Sequence, residues 1–534
     1  MGITEMKPAA AASPAPPGAT LARRIALAAL LIALGNITSR VLGVVREAVI
    51  AGLFGRGAEV ATFTAASTIP TILYDLLING AISAALVPVF SEYAEGDEQE
   101  LWRVASSVIT LALLALASLT AVLIWQAPLA IAVLAGGFQG QVRTQTIEMV
   151  RLLLPAVIFM GLSGLITALL YARQRFLLPA FTVSVYNLGI ILGAVLLAPL
   201  LGPFSLVTGV MLGAVLQVVL QLPGLRGMAY RPVLGLRHPG VRRILKLYAP
   251  VALGIGFSVV GIVLDRNLAS RLGTSAIPTM RYATTLIQFP LGLVAAAVSF
   301  AVLPTLARQA STRDEAAFRT TLAMGIKVVL LLILPATAGL AALASPIVAL
   351  IFQRQAFGTT DAAETARALL LYLPGLPAAA LDQMLLFAFY AHKRTLAPNL
   401  VQGAAVGLYA LTALALLATT NLGVFALILG NSAQWIGHAL ILLMLARGLV
   451  SLRGLRLGEA IAKSALASLA LGAAVWGLAT ALGPFGGPLV QIVLAGGLGT
   501  ALYFGLCMVL RVEALDFFVA AVRRRLNRRT GSEG

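Results

Sequence analysis

Cysteine is almost missing: Cys507 is the single copy in 534 residues, so no disulfide framework or thiolate metal site exists, and the residue leaves the redox compartment undetermined. Histidine is scarce as well. The three copies are not spaced as metal ligands. Charge is the third scarcity, at 11% of residues where soluble domains carry roughly a quarter. Catalytic signatures are also absent: there is no HExxH, no GxxxxGK[ST] and no GxSxG, since "GLSGL" lacks the last Gly. Catalysis by side chains, and with it an enzyme, is excluded on these grounds.

What is present is apolar, at 60% of the chain, the composition of a polytopic membrane protein. The net charge of +18 does not indicate nucleic acid, because the basic residues gather in short loops and at the chain ends, facing anionic lipid. The opening "AAAASPAPPGAT" has no period and reads as a disordered tail. The first apolar run contains arginines and is too long for a cleaved signal sequence. It reads as a retained first helix.

Runs of about twenty apolar residues recur to the end of the chain. We count about fourteen, starting near Ala26, Val60, Val104, Thr146, Leu177, Phe204, Ile244, Ala276, Phe318, Ala366, Leu396, Gly423, Gly458 and Pro488. Breaks fall at "LLGPF", "TTNLG" and "LGPFGGP". Alternate loops hold the lysines and arginines: Arg173 and Arg175, then Arg226 to Lys246, then Arg308 to Arg319, Lys393 and Arg394, and Arg447 to Arg456. Both chain ends belong to that side, through Arg23 and Arg24 and through "RRRLNRR". The expectation is two cytoplasmic termini, an even number of spans and a plasma-membrane location. The acidic "EYAEGDEQE" near residue 95 falls on the same basic side; carboxylates weigh little in this rule.

"AISAALVPVFS" at 81–91 and "AVSFAVLPTLA" at 297–307 end helices two and eight. Six crossings separate them, so they run the same way, as in a parallel repeat about an axis along the membrane normal. Chance likeness among apolar segments is the alternative. The expected fold is all-α, with two six-helix bundles around a central cavity and two extra C-terminal helices. The expected divisions are a disordered tail at 1–24, bundles at 25–225 and 247–450, a basic cytoplasmic loop at 226–246, the extra pair at 451–512, and a basic cytoplasmic tail at 513–534.

Helix one poses the functional question. Its polar residues Asn36, Ser39, Arg40, Gly43, Arg46 and Glu47 fall within about 120° of one face. An arginine at a bilayer centre costs about 2.5–3.5 kcal/mol, so two of them need a partner or a task. Helix two carries Thr64, Thr68, Thr71, Asp75 and Asn79 as its own stripe, with Asp75 near the depth of Arg40. One reading is an Arg40–Asp75 ion pair that glues the helices. The other is a cavity with surplus positive charge, suited to phosphate because a guanidinium donates two parallel hydrogen bonds. Asp265, Arg266 and Arg281 lie towards the outer side, where snorkelling is an alternative to function. Lys327 and Asp382 read as core polar residues. His438 and Gln434 share a face of helix twelve and read as packing. The sequon "NIT" at 36–38 is submerged in helix one.

Several segments resemble the MurJ/MviN family, the lipid II flippases of the MOP exporter superfamily: "SRVLGVVREAVIAGLFG", "LLLPAVIFMGLSGLITALLYARQRFLLPAFTVSVYNL", "LDRNLAS", "FPLGLVAAAVSFAVLPTLAR" and "IFQRQAFGTTDAAETARALLLYLPGLP". The likeness is collinear over most of residues 24–450. It implies a cavity lined by helices one, two, seven and eight, and a groove at the last two helices for a polyprenyl tail. It also implies an undecaprenyl-pyrophosphate disaccharide pentapeptide moved from the inner to the outer leaflet. Arg40 and Arg46 match the family's first-helix arginines, which engage the pyrophosphate. The chain departs from the family at Tyr74 and Asp75, where a basic pair is usual, at Thr284 and Thr285, where Asp or Asn precedes Arg, and at Ala61 in place of an acid. Arg281, one turn before Thr285, is the candidate substitute.

The candidate substrate-binding set is therefore Arg40, Arg46, Arg281, Asn36 and Asp75, with Asp265 as the candidate for ion coupling. No cofactor is expected beyond a coupling cation or the membrane potential. The expected partners are the lipid-linked pyrophosphate, membrane lipids and cell-wall synthesis machinery. Two other readings stand beside the flippase: a carrier of another lipid-linked oligosaccharide or amphiphile, and a degenerate, non-transporting scaffold.

Overall fold

A computed structural model describes residues 17–227, 230–394, 396–451 and 454–516, and every regular element among them is helical. Helix α1 (Pro17–Phe54) begins inside the stretch expected to be a tail; residues 1–16 lie outside the described residues. Next come α2 (Ala58–Tyr74), α3 (Val87–Glu95), α4 (Glu98–Trp125), α5 (Ala127–Leu134), α6 (Gly140–Leu153) and α7 (Ala156–Ala172). The short α8 (Leu177–Ala180) leads into α9 (Thr182–Leu201) and α10 (Phe204–Gln221). The second half holds α11 (Pro239–Arg271), α12 (Ala276–Pro290), α13 (Ala296–Ser311), α14 (Glu315–Ala342) and α15 (Ala344–Phe352). It continues with α16 (Thr359–Tyr372), α17 (Leu376–Ala391), α18 (Leu396–Thr419) and α19 (Val424–Ala446), and α20 (Leu457–Leu482) and α21 (Pro488–Val509) close it. The expected basic loop is shorter than 226–246, because α11 takes over from Pro239. Of the expected C-terminal tail, residues from 517 onward lie outside the described set.

Among the described residues, eleven helices are long and apolar enough to cross a membrane, or twelve if the segments Pro239–Ala249 and Gly254–Arg271, bent by 51°, form one span. The chain is thus an all-α polytopic membrane protein. Two of the fourteen expected segments fall outside this set. The first, in α1, carries Arg40, Arg46 and Glu47 within eight positions. The second, at 276–311, is interrupted by a π-helical turn over Leu291–Ala295. Pro290 precedes that turn; lacking an amide hydrogen, it removes one rung of the helical ladder. Helix two is widened in the same way over Asp75–Asn79 and again over Ile82–Leu86. The turns at 75 and 291 are 216 residues apart, the spacing that relates 81–91 to 297–307 and Pro88 to Pro304.

The outward faces are greasy. Trp125 is 75% exposed and Leu200 80%, which hydrocarbon tolerates and water does not. The acidic stretch near 95 is matched locally. Asp97 caps α4 by accepting from the Gln99 amide at 2.8 Å, Arg173 meets Glu98 at 2.8 Å, and Arg243 meets Glu92 at 2.9 Å. These acids therefore share an end of the molecule with the basic loops. The last two helices dock on α14, where Tyr503 donates to the Leu331 carbonyl at 2.6 Å and Lys327 meets Glu513 at 2.6 Å.

Helices α9 and α10 approach through two facing small-residue motifs, "GIILG" at 189–193 and "GVMLG" at 209–213. A Cβ on Gly189 would lie 2.4 Å from the Gly213 Cα, and one on Gly193 would lie 2.4 Å from the Gly209 Cα. Overpacking of this kind costs about 1–3 kcal/mol per site. Gly189→Val and Gly193→Val are each expected to lower the thermal unfolding midpoint in detergent. Gly505→Val, with nothing within 4 Å, leaves it unchanged. Equal midpoints for all three would refute the close approach.

Candidate functional site

The charged stripe of α1 divides between two places. Glu47 is fully buried, and a carboxylate out of water needs counter-charge. Arg46 supplies it from the next position, with Nη2 at 2.6 Å and Nε at 3.0 Å from Oε1. Arg281 of α12 supplies it again, with Nε at 2.7 Å from Oε2 and Nη2 at 2.8 Å from Oε1. The remaining donors are taken up around the pair. Arg46 Nη1 donates to Asn187 Oδ1 of α9 at 2.8 Å, and Arg281 Nη1 to Thr64 Oγ1 of α2 at 2.9 Å. Asn187 Nδ2 donates to the Ser39 carbonyl at 3.1 Å. The Arg281 guanidinium also stands over the Phe63 ring, 5.4 Å from its centre. One carboxylate between two guanidiniums leaves this cluster formally positive.

Arg40 lies elsewhere. Its Nη1 donates to the Gln288 carbonyl at 3.1 Å, and it lines a cavity of about 500 Å³ in which Thr284, Asp382 and His438 stand among Ile287, Leu291 and Leu386, a mixed lining more polar than that of the groove described below. The Arg40–Asp75 ion pair that the sequence suggested is not among those of the described residues. Asp75 opens the first wide turn instead. The structure therefore does not bring Arg40, Arg46 and Asp75 to one point. Arg281 joins Arg46 through Glu47. Asn36 is exposed and lines neither this cavity nor the groove described next. His438 is not mere packing: its Nδ1 meets Asp382 Oδ1 at 2.6 Å.

A second cavity of about 620 Å³ lies on the other side of α1 and is apolar. Val41, Val44 and Val45 of α1 form one wall, with Leu286 and Phe289 of α12 beside them. Helices α14, α20 and α21 close it, through Leu340, Leu471 and Phe504 among others. Helices α1 and α12 therefore separate a more polar chamber from a greasy groove.

Asp265 is held by neutral donors from two other helices: Tyr409 Oη at 2.8 Å and Asn431 Nδ2 at 3.0 Å, both to Oδ1. Arg266 stands 3.8 Å from Oδ2. The C-terminal end of α1 is strapped to the second half. Arg56 bonds Asp361 at 3.0 Å, Thr279 at 2.8 Å and also Glu364. Tyr282 Oη donates to the Gly55 carbonyl at 2.8 Å, and the Ala356 amide to the Gly52 carbonyl at 3.0 Å.

Sequence reasoning placed Glu47 on the polar stripe without its role, and missed Asn187. A carboxylate one position from an arginine in an apolar helix was the available signal. Removing one member of a buried ion cluster costs about 3–5 kcal/mol. Glu47→Ala is accordingly expected to lower the unfolding midpoint sharply. Arg281→Ala in that background should cost less than it does alone, with a coupling of at least about 1 kcal/mol in a double-mutant cycle. Strict additivity would show that the two side chains do not meet.

Known proteins place this arrangement. The family model described as "Lipid II flippase MurJ" matches residues 50–490. The chain is 30% identical over 471 residues to a probable lipid II flippase MurJ of Haemophilus influenzae, covering 83% of this chain and 90% of that protein. It is 32% identical over 398 residues to one of Vibrio cholerae, covering 71% and 75% respectively. Among solved structures, it is similar to a lipid II flippase MurJ in an inward closed conformation, with a TM-score of 0.77 at 23% identity over 91% of this chain and all of that one. A multidrug-resistance MATE transporter of the MOP superfamily in an inward-facing conformation shares the fold, with a TM-score of 0.64 at 14% identity over 81% of this chain and 98% of that one. The chain belongs to the MurJ family, whose members are membrane transporters and not enzymes.

Proposed function

We propose that this protein is a flippase that carries lipid-linked peptidoglycan precursor, lipid II, from the inner to the outer leaflet of the bacterial plasma membrane for cell-wall synthesis. The observation that carries the reading is the double-faced wall of α1 and α12. A more polar chamber with Arg40 lies on one side, and an apolar groove lined by Val41, Val44 and Val45 lies on the other. A substrate with a charged headgroup and a long hydrocarbon tail needs both at once. The names of the relatives point to the same cargo.

In this reading fourteen spans form two six-helix bundles and a C-terminal pair, with both termini cytoplasmic. The 216-residue spacing of the wide turns supports the duplication. The bundles rock between inward-open and outward-open states. Arg40 holds the pyrophosphate, and the positive cluster of Arg46, Glu47 and Arg281 stands behind it. Returning a cationic cavity across the field is worth about 2.3 kcal/mol per unit charge per 100 mV, so the potential helps to reset it. Asp265 is our candidate for a coupled cation. The scaffold alternative rested on a cavity closed by Arg40 and Asp75, and that pair is not among the ion pairs of the described residues.

Arg40→Ala is expected to abolish translocation while protein levels hold. The measurement is the leaflet in which lipid-linked precursor accumulates after depletion of the native protein, with the variant supplied in its place. Unchanged precursor distribution would overturn the assignment. Complementation with a strain lacking its own lipid II flippase separates lipid II from other lipid-linked oligosaccharides.

A further inference from the structure

His438 of α19 and Asp382 of α17 stand in the chamber wall, apart from the ion cluster at Glu47. They meet at 2.6 Å through Nδ1 and Oδ1. A carboxylate can only accept, so Nδ1 carries the shared proton and a neutral imidazole keeps a lone pair on Nε2. That nitrogen is buried without a hydrogen-bond partner, in a residue only 6% exposed. Buried polar atoms are matched almost without exception. An imidazole whose second nitrogen is left over, beside a carboxylate, is a place for a proton to go.

Among the described residues, the other titratable groups on helices packed against α19 are engaged elsewhere or remote. Tyr409 of α18 donates to Asp265 of α11, which has Arg266 beside it. On α16, Asp361 and Glu364 bind Arg56, Arg367 covers the Phe425 ring, and Tyr372 stacks on Trp435. On α12, Arg281 is held by Glu47 and Tyr282 donates to the Gly55 carbonyl. Tyr390 follows Asp382 about two turns later on α17. Arg242, Arg243, Lys246, Tyr248 and Arg271 lie towards the two ends of α11. His438 is the one titratable residue of α19 itself.

The charge balance of the chamber turns on this proton. Arg40 brings one positive charge to the lining and Asp382 one negative, and the two cancel formally while His438 is neutral. A second proton on His438 is then the surplus positive charge of the chamber. An anion that enters beside Arg40 draws that proton in, and the proton tightens the anion by the same factor, because linkage is reciprocal. We propose that Asp382 and His438 form a proton-binding site whose occupancy rises when an anionic group enters the chamber. The charge with which the empty chamber crosses the field is thereby set by pH. The proton site stands on the geometry alone; its linkage to an anion rests on the transport reading above.

The test uses the full chain in lipid nanodiscs. Its probe is a soluble diester of pyrophosphate, which does not titrate over the histidine range of about pH 5 to 8. Calorimetry in two buffers of different ionisation heat counts the protons taken up on binding. Nitrogen NMR of the three histidines, assigned with His238→Gln and His392→Gln, shows which residue takes them. The wild type is expected to take up protons at neutral pH, at His438, and to bind the diester about tenfold more tightly at the acidic end of the range. His438→Asn keeps an N–H near the position of Nδ1 but cannot accept a second proton. It should lose both the uptake and the pH dependence. Diester binding without proton uptake, or uptake that survives in His438→Asn, would overturn the proposal and leave a structural pair. The wild-type spectra decide the case should the variant fail to fold: a His438 that keeps one protonation state throughout the range excludes the site. If His438 titrates on acidification but no diester binds, the proton site stands and the anion reading of the chamber falls.

Discussion

A carboxylate buried in the middle of a membrane protein sets the terms for everything near it. Glu47 is out of contact with solvent, and the desolvation of an ion there is recovered only by full pairing. Its two oxygens draw in Arg46 from the same helix and Arg281 from α12, and their spare donors reach Thr64 on α2 and Asn187 on α9. Four helices are thereby fixed in register by one side chain. The same demand explains why Arg40 has a different fate. With Arg46 and Arg281 engaged, it faces the chamber with the Gln288 main-chain carbonyl as its hydrogen-bond acceptor.

The position of α1 follows from these bonds. Its polar stripe is drawn to Glu47, so the opposite stripe of Val41, Val44 and Val45 is turned towards α14, α20 and α21. That is how a single helix comes to border a wet volume and a greasy one. Its far end is tied to α12 and α16 through Arg56 and the main chain at Gly52 and Gly55. The stiffness of that end contrasts with the wide turns at 75–79, 82–86 and 291–295. There the hydrogen-bond ladder changes register, and a helix resists bending least. Such turns recur 216 residues apart, at 75–79 and at 291–295.

Much of this was legible in the sequence, and the limits are instructive. Apolar runs and turn signals locate nearly every helix, because burying a backbone in lipid leaves few alternatives. The likeness of 81–91 to 297–307 was visible, but not the wide turns at 75–79 and 291–295, which depend on ladder geometry rather than residue type. Arg40, Arg46 and Glu47 were readable as one stripe because 100° per residue is a property of the helix alone. Which partner each would take was not. Arg46 meets Asn187, 141 residues away, and Arg281 meets Glu47, 234 residues away. Such choices are made by tertiary packing. His438 looked like packing for the same reason: a helix face carries no record of the face opposite, and its partner Asp382 lies on another helix.

The departures from the family pattern then acquire a physical meaning. Thr284 and Thr285 stand where charge is usual, and their hydroxyls turn back onto their own helix, to the carbonyls of Met280 and Arg281 at 2.7 Å and 2.9 Å. The wall of α12 near Arg40 is therefore neutral, and the positive charge that a basic side chain would place there is held instead at Arg281, against Glu47.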